Sequence, residues 1–308
     1  MVMDAIRRRL RTGEILLLDG GTGTELEKRG ASMVDGAWCA LATRTDPEIL
    51  QGIHEDYIRA GADVIIANTF ANTRHMLEAA GHGDKVELLA RGAVDIALRA
   101  RERVAGGRNI AVAGSLSHMM PMVAGDQKHD PSKMPSDDAV LANFRELAGL
   151  LKDGGVDLIM LEMMSRPRHI RLALQAAEET GLPVWCGMSA RMAGDSILSF
   201  AWENFPFAET VSAATSGRAE VVGVMHTNIN ATGPALDLLR QNFEGPMLAY
   251  PDSGHFEMPH WKFVDIIEPR ALAREARSWL EMGVQVIGGC CGLGLEHIKA
   301  LAAELRAS

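Results

Sequence analysis

Along this chain, short apolar runs rich in β-branched residues alternate with longer stretches in which apolar residues return at helical spacing. Eight such runs stand out: ILLLDG (15–20), VIIANTF (64–70), IAVAGSL (110–116), LIMLEM (158–163), VWCGMSA (184–190), VVGVMHT (221–227), MLAYPD (247–252) and VQVIGGCC (284–291). Their nearly unbroken apolarity predicts strands buried on both faces, as in a parallel sheet covered by helices. Helical periodicity fills the intervals, for example in PEILQGIHEDYIRAGA, KVELLARGAVDIALRARERV, DAVLANFRELAGLLKDGG and REARSWLEMGV, three of which close on glycine. Eight strand and helix units in about 300 residues predict an α/β chain closed as a (β/α)8 TIM barrel, with an open doubly wound sheet as the alternative. Residues 1–308 read as a single barrel domain, since no low-complexity linker divides them.

Polar residues punctuate this pattern at the ends of the runs. Asp19, Asn68, Ser115, Glu162, Ser189, His226, Asp252 and Cys290 all fall at the expected C-terminal ends of strands, where a barrel of this kind places its active site. Residues 117–136, SHMMPMVAGDQKHDPSKMPS, form a long polar loop with glycine and prolines. We read it as a lid or a wall of the site, with a solvated surface excursion as the alternative.

Composition narrows the partners. With 47% hydrophobic and 23% charged residues, the chain has the balance of one that buries a substantial core. A formal net charge of −9 without any block of lysine or arginine repels nucleic acid and anionic membrane and favours a small-molecule partner. MVMDAIRRRL lacks the apolar run of a secretory signal, and no segment approaches the roughly 20 apolar residues of a membrane span, so a cytoplasmic location is expected. Whether the chain forms a homo-oligomer is left open.

The candidate chemistry lies in IGGCCGLG, at the last strand. Adjacent Cys290 and Cys291 would strain a mutual disulfide and are better suited as reduced ligands. Zinc prefers cysteine sulfur and imidazole nitrogen, and a catalytic site keeps a fourth position open. His226, ending the sixth run, is the candidate third ligand. Read singly, paired cysteines are equally well small buried hydrophobes and a strand-end histidine a satisfied polar group.

Further segments tie these residues to a known family. LLLDGGTGTEL, GAWCA, GADVIIANTF, GSL, LIMLEMM with Glu162, AYPDSG and the closing IGGCCG occur in order, and together they resemble the homocysteine S-methyltransferase family. The resemblance spans nearly the whole chain, and IGGCCG is its most specific part. It implies a zinc-dependent methyltransferase in which Asp19 and Glu162 hold the ammonium of homocysteine; the Gly20 and Gly21 N–H groups, with Thr69 nearby, are our candidates for its carboxylate, and the alternatives are a turn-forming Asp19 and a solvent-facing Glu162. It also marks a departure, because the family carries cysteine at the position of His226. Two cysteinates and zinc sum to zero, where three would sum to −1. A less electron-rich metal acidifies a bound thiol more strongly but leaves its thiolate a weaker nucleophile.

A free thiol, with a pKa of about 8.5, is mostly protonated at neutral pH and needs such activation. The expected reaction is in-line displacement of methyl from a sulfonium or quaternary ammonium donor, giving methionine, with no catalytic residue beyond the metal ligands. Aromatic faces suit such a cation, which makes Trp38, Trp202 and Trp261 candidates, Trp38 foremost. The methionines at 119, 120 and 122 are unexpected in a donor loop, and the donor is not legible. Competing readings are action on another thiol or a selenol, a zinc hydrolase, and a binding protein without turnover. The vicinal cysteines speak against the hydrolase, because hydrolytic zinc favours histidine and carboxylate.

Overall fold

All eight runs form strands in the computed structural model, which describes residues 1–31, 37–123, 129–200, 203–257 and 262–307. They are β1 (Leu16–Leu17), β2 (Val64–Ala67), β3 (Ala111–Ser117), β4 (Leu158–Met164), β5 (Val184–Met188), β6 (Val221–Asn228), β7 (Met247–Asp252) and β8 (Val284–Ile287). Each pairs in parallel with its sequence neighbours, and β8 pairs with β1. The ring closes between β1 and β2 through a bridge from Leu18 to Val64 and two backbone bonds, Asp19 N to Val64 O at 3.1 Å and Asp63 N to Leu17 O at 2.7 Å. Closure excludes the open doubly wound sheet.

Alternation along the strands builds two cores. Leu16, Leu18, Val64, Ile66, Ala111, Ala113, Leu158, Met160, Trp185, Val221, Leu248 and Val286 point inward and pack on one another. Their sequence neighbours, such as Leu17, Ile65, Val112, Ile159 and Val222, face the surrounding helices. The interior is tight: a side chain at Gly223 would place its Cβ 2.0 Å from Leu248 O. The N-terminal helix Val2–Arg11 closes the floor, contributing Met3, Ile6 and Leu10 to the inward cluster. Arginines brace that rim, with Arg9 to Asp63 at 2.6 Å, Arg101 to Asp157 at 2.7 Å and Arg7 to Glu220 at 3.0 Å. Asp63 and Asp157 also accept the N–H groups of Leu17 and Val112, so each carboxylate holds two neighbouring strands.

The long helices follow their pattern, at Pro47–Ala60, Val86–Val104, Asp137–Gly154 and Pro269–Glu281. Two short hairpins over the mouth, Ala190–Ala193 with Ser196–Ser199 and His255–Glu257 with Lys262–Val264, had no counterpart in the sequence pattern. Strand ends also differ. β8 stops at Ile287, so Cys290 and Cys291 lie on a loop rather than on the strand, while Ser115, Glu162 and His226 each sit two residues inside the ends of β3, β4 and β6. Among the described residues, no helix is long and apolar enough to cross a membrane.

Candidate metal centre and its cavities

His226 owes its position to a break in strand pairing. The β6–β7 register shifts between Met225 and Asn228, and His226 takes a left-handed backbone with φ of +46°. β4 does the same beside Glu162, shifting between Leu161 and Met164 with Met163 at φ +55°. Such conformations are costly for non-glycine residues and persist where surrounding structure holds them, often at functional sites. Here the two bulges bring Glu162 Oε2 to 2.9 Å from His226 Nε2.

The cysteine loop is held from both sides. Gly288 N donates to Ala249 O, Gly289 N to Asp19 O, Cys290 N to Pro251 O at 2.7 Å, and Ser253 N to Cys291 O. Gly21 packs so closely that a Cβ there would lie 2.5 Å from Cys290 O. As a result His226, Cys290 and Cys291 present ligand atoms all within 4.8 Å of one another. The two sulfurs are 3.6 Å apart, and Cys290 Sγ is 3.1 Å from His226 Nδ1. Tetrahedral zinc with ordinary bond lengths separates two sulfurs by about 3.8 Å and sulfur from nitrogen by about 3.5 Å. The donor set therefore fits a zinc-like ion with little movement. Glu162 on Nε2 leaves Nδ1 as the ligating nitrogen, the usual carboxylate support for a metal-bound imidazole.

As protein groups alone, the three share protons. Burial pushes the Cys290 thiol well above its ordinary range, whereas the hydrogen bond from Cys290 and the nearness of His226 draw Cys291 down to about 6 despite burial. Burial opposes a charge on His226, but Cys291 and Glu162 outweigh it and raise the ring to about 10. A metal ion must displace that proton, so metal affinity should rise with pH.

Two cavities meet at this cluster. The smaller, about 70 Å³, is lined by Gly21, Thr22, Gly23, Trp38, Cys39, Glu162, His226, Tyr250, Cys290 and Cys291 among others. The larger, about 850 Å³, shares Trp38, Phe70, His226 and Cys291 and is walled by methionines 119, 120, 122 and 163 and by Asp252. Trp38 stands between them, edge-on to Phe70 with ring centroids 5.8 Å apart. Residues 118–120, 122 and 129 thus form a wall of the large cavity. Trp202 and Trp261 lie outside the described residues.

The expected substrate residues divide. Gly21, Trp38 and Glu162 join the metal cluster around the small cavity, while Asp19, Gly20 and Thr69 line neither. Asp19 is fully buried, accepting from Ile66 N at 2.7 Å and from Tyr250 OH at 3.2 Å. Thr69 Oγ1 donates to Ser115 O at 2.8 Å. The Gly21 N–H already donates to Leu293 O at 3.0 Å, so it is not offered to a carboxylate as expected. Thr22 and Gly23 lie in the first turn of helix Thr22–Lys28, where N–H groups lack partners within the helix. Sequence reading passed over them although GTGTEL was in view. It also missed Tyr250 and Cys39; the Cys39 thiol, pushed up to about 12 by burial, stays neutral.

The chain is similar to known methyltransferases. A selenocysteine Se-methyltransferase of Brassica oleracea var. italica is 27% identical, the match covering 96% of this chain and 90% of that protein. Homocysteine S-methyltransferase YbgG of Bacillus subtilis (strain 168) is also 27% identical, over 99% of this chain and 98% of its own. Among solved structures, the metallated form of the homocysteine methyltransferase MmuM from Escherichia coli superposes with a TM-score of 0.76 at 26% identity, covering 97% of this chain and 99% of that one. The sequence model of homocysteine S-methyltransferases matches residues 16–305, and this methyltransferase barrel belongs to the homocysteine S-methyltransferase family.

Proposed function

We propose that the chain transfers a methyl group from a sulfonium or quaternary ammonium donor to the thiol of homocysteine, forming methionine, with zinc held by His226, Cys290 and Cys291. The observation that carries this reading is the three-residue cluster at the junction of a small cavity and a large one. Zinc at such a site supplies the Lewis acidity that lowers the pKa of a thiol. The chain's own residues do the rest. His226, oriented by Glu162, keeps Nδ1 toward the sulfurs. The second oxygen of Glu162 faces the substrate ammonium, while Asp19, whose carboxyl burial pushes well above the ordinary range, holds the Tyr250 hydroxyl behind it. First-turn N–H groups at Thr22 and Gly23 receive the carboxylate, aided by the positive end of that helix. Trp38 and the methionine wall exclude water from the path between sulfur and methyl carbon, where alignment supplies much of the rate.

Metal analysis should find about one zinc per chain, lost in a Cys290→Ala, Cys291→Ala double variant. Zinc-loaded protein should form methionine from homocysteine with at least one onium donor. No methionine from any sulfonium or quaternary ammonium donor, or full zinc occupancy in the double variant, would overturn the proposal. A selenol acceptor is the second reading, supported by the Brassica relative, and competition between homocysteine and selenocysteine separates the two.

A further inference from the structure

The large cavity holds a second polar device that takes no part in the metal cluster. Ser165, just past β4, and His118, just past β3, both line it. Their side chains begin a chain of hydrogen bonds leading to the surface. Ser165 Oγ lies 2.9 Å from His118 Nδ1, His118 Nε2 lies 2.8 Å from His169 Nδ1, and His169 Nε2 lies 3.1 Å from Asp137 Oδ1. Ser165, His118 and His169 are 3%, 2% and 6% exposed. Asp137 opens the helix Asp137–Gly154 and also pairs with Arg168. The backbone N–H of His118 donates to the backbone carbonyl of Glu162 at 3.1 Å, so this chain of bonds is anchored to the strand end that carries Glu162.

The order of donors and acceptors runs one way. A carboxylate only accepts, so His169 must donate from Nε2. A neutral imidazole has a single N–H, which leaves His169 Nδ1 to accept from His118 Nε2. His118 Nδ1 then accepts in turn, and the Ser165 hydroxyl supplies the proton. Burial, with His169 and Arg166 nearby, holds His118 well below the ordinary range, and burial also lowers His169 against the pull of Asp137. Both rings are therefore neutral at neutral pH. With its hydrogen committed, Ser165 Oγ has only lone pairs to offer the cavity. The same cavity is lined by the polarisable thioethers of Met119, Met120, Met122 and Met163. Arg166, also on this wall, is paired with Glu203 at 2.8 Å.

We propose that Ser165 is a specificity-determining residue for the methyl donor, its oxygen made a pure acceptor by His118, His169 and Asp137 and directed at the positively polarised C–H groups of an onium ion. The proposal rests on the methyl-transfer reading of the site. Onium charge spreads over the hydrogens next to the heteroatom, so a lone pair is a matched contact and an O–H directed at it would be repelled. No bond to Ser165 forms or breaks. His118, His169 and Asp137 act through Ser165 as positioning residues.

Two measurements on the zinc-loaded full chain test this. Nitrogen-15 spectra, with His118 identified by its loss in His118→Asn, should show Nε2 protonated and Nδ1 bare; an Nδ1–H tautomer or an imidazolium would overturn the assignment. Calorimetric titration with trimethylsulfonium should show binding, absent for neutral dimethyl sulfide, that weakens about fivefold to tenfold in Ser165→Ala and is retained in Ser165→Thr. Equal affinity in Ser165→Ala and wild type, at unchanged zinc content and melting temperature, overturns the role of Ser165. So does wild-type protein that fails to prefer the sulfonium. Methionine formation is scored separately: a wild type that makes methionine with a donor KM unaltered by Ser165→Ala sinks only the present inference. A wild type whose sulfonium binding depends on Ser165 but that makes no methionine upholds the acceptor and removes the methyl-transfer reading.

Discussion

Glu162 serves two neighbours, and its substitution should reveal both. From sequence it is an ammonium partner that leaves the metal alone, but the bond to His226 Nε2 makes it a support for the proposed metal ligand as well. Glu162→Ala should therefore weaken homocysteine binding and also lower zinc affinity about tenfold to a hundredfold, read by competition with a chelator. Unchanged zinc affinity would return Glu162 to a substrate role only. His226→Cys tests the charge at the site: a third thiolate should raise the pKa of the bound substrate thiol and move the pH–rate profile to higher pH. A different residue-scale effect lies in helix Pro47–Ala60. His54 there is fully buried with neither ring nitrogen hydrogen-bonded, and burial lowers its pKa to about 4. The unfolded chain binds a proton near pH 6.5 that the native chain refuses, so stability present above that pH is lost as pH falls toward 4. The loss amounts to at most about 3 kcal/mol. His54→Leu should move the acid-unfolding midpoint to lower pH, and an unchanged midpoint would assign the acid sensitivity elsewhere.

At the scale of elements, the site depends on pieces that never touch substrate. Helix Val2–Arg11 seals the barrel floor, and Ile6 within it is wholly buried among inward-facing strand residues. Ile6→Ala should cost about 2–5 kcal/mol in urea unfolding, because the surrounding barrel cannot collapse into the space. A loss under about 1 kcal/mol would mean that the helix is a loose cover. The bulges at Met163 and His226 work at the opposite end. Periodicity gave the strands to which they belong, but a register shift is decided by pairing with the neighbouring strand, so apolar spacing carries no mark of it.

For the whole molecule, the proposed metal should be coupled to the fold. The cluster ties the end of β6 to the loop after β8, and through Gly21 and Leu293 to the end of β1. An ion bound to the folded chain alone stabilises it by mass action, about 2.7 kcal/mol at a hundredfold excess over its dissociation constant. Chelation should thus lower the melting temperature by several degrees, and zinc should restore it. The Cys290→Ala, Cys291→Ala variant should melt at one temperature with or without chelator. A melting temperature indifferent to chelation in the wild type would separate the site from the stability of the barrel.

Sequence by itself determined the eight strands, the class of the fold and the three side chains, His226, Cys290 and Cys291, that come together as a candidate metal site. Those rest on local signals: apolar runs of strand length, helical spacing between them, and soft donors beside glycines at the expected mouth. It also marked Glu162 and Trp38 as facing the site. Only the tertiary structure decided which neighbours they meet. Closure at Leu18 and Val64 depends on the summed tilt and twist of all the strands. The Gly21 N–H was lost to substrate because Leu293, far away in the chain, accepts it. Asp19 was drawn under Tyr250 for the same kind of reason. The path from Ser165 to Asp137 joins three segments whose only common property is that the barrel packs them side by side, and no spacing along one strand or helix encodes that.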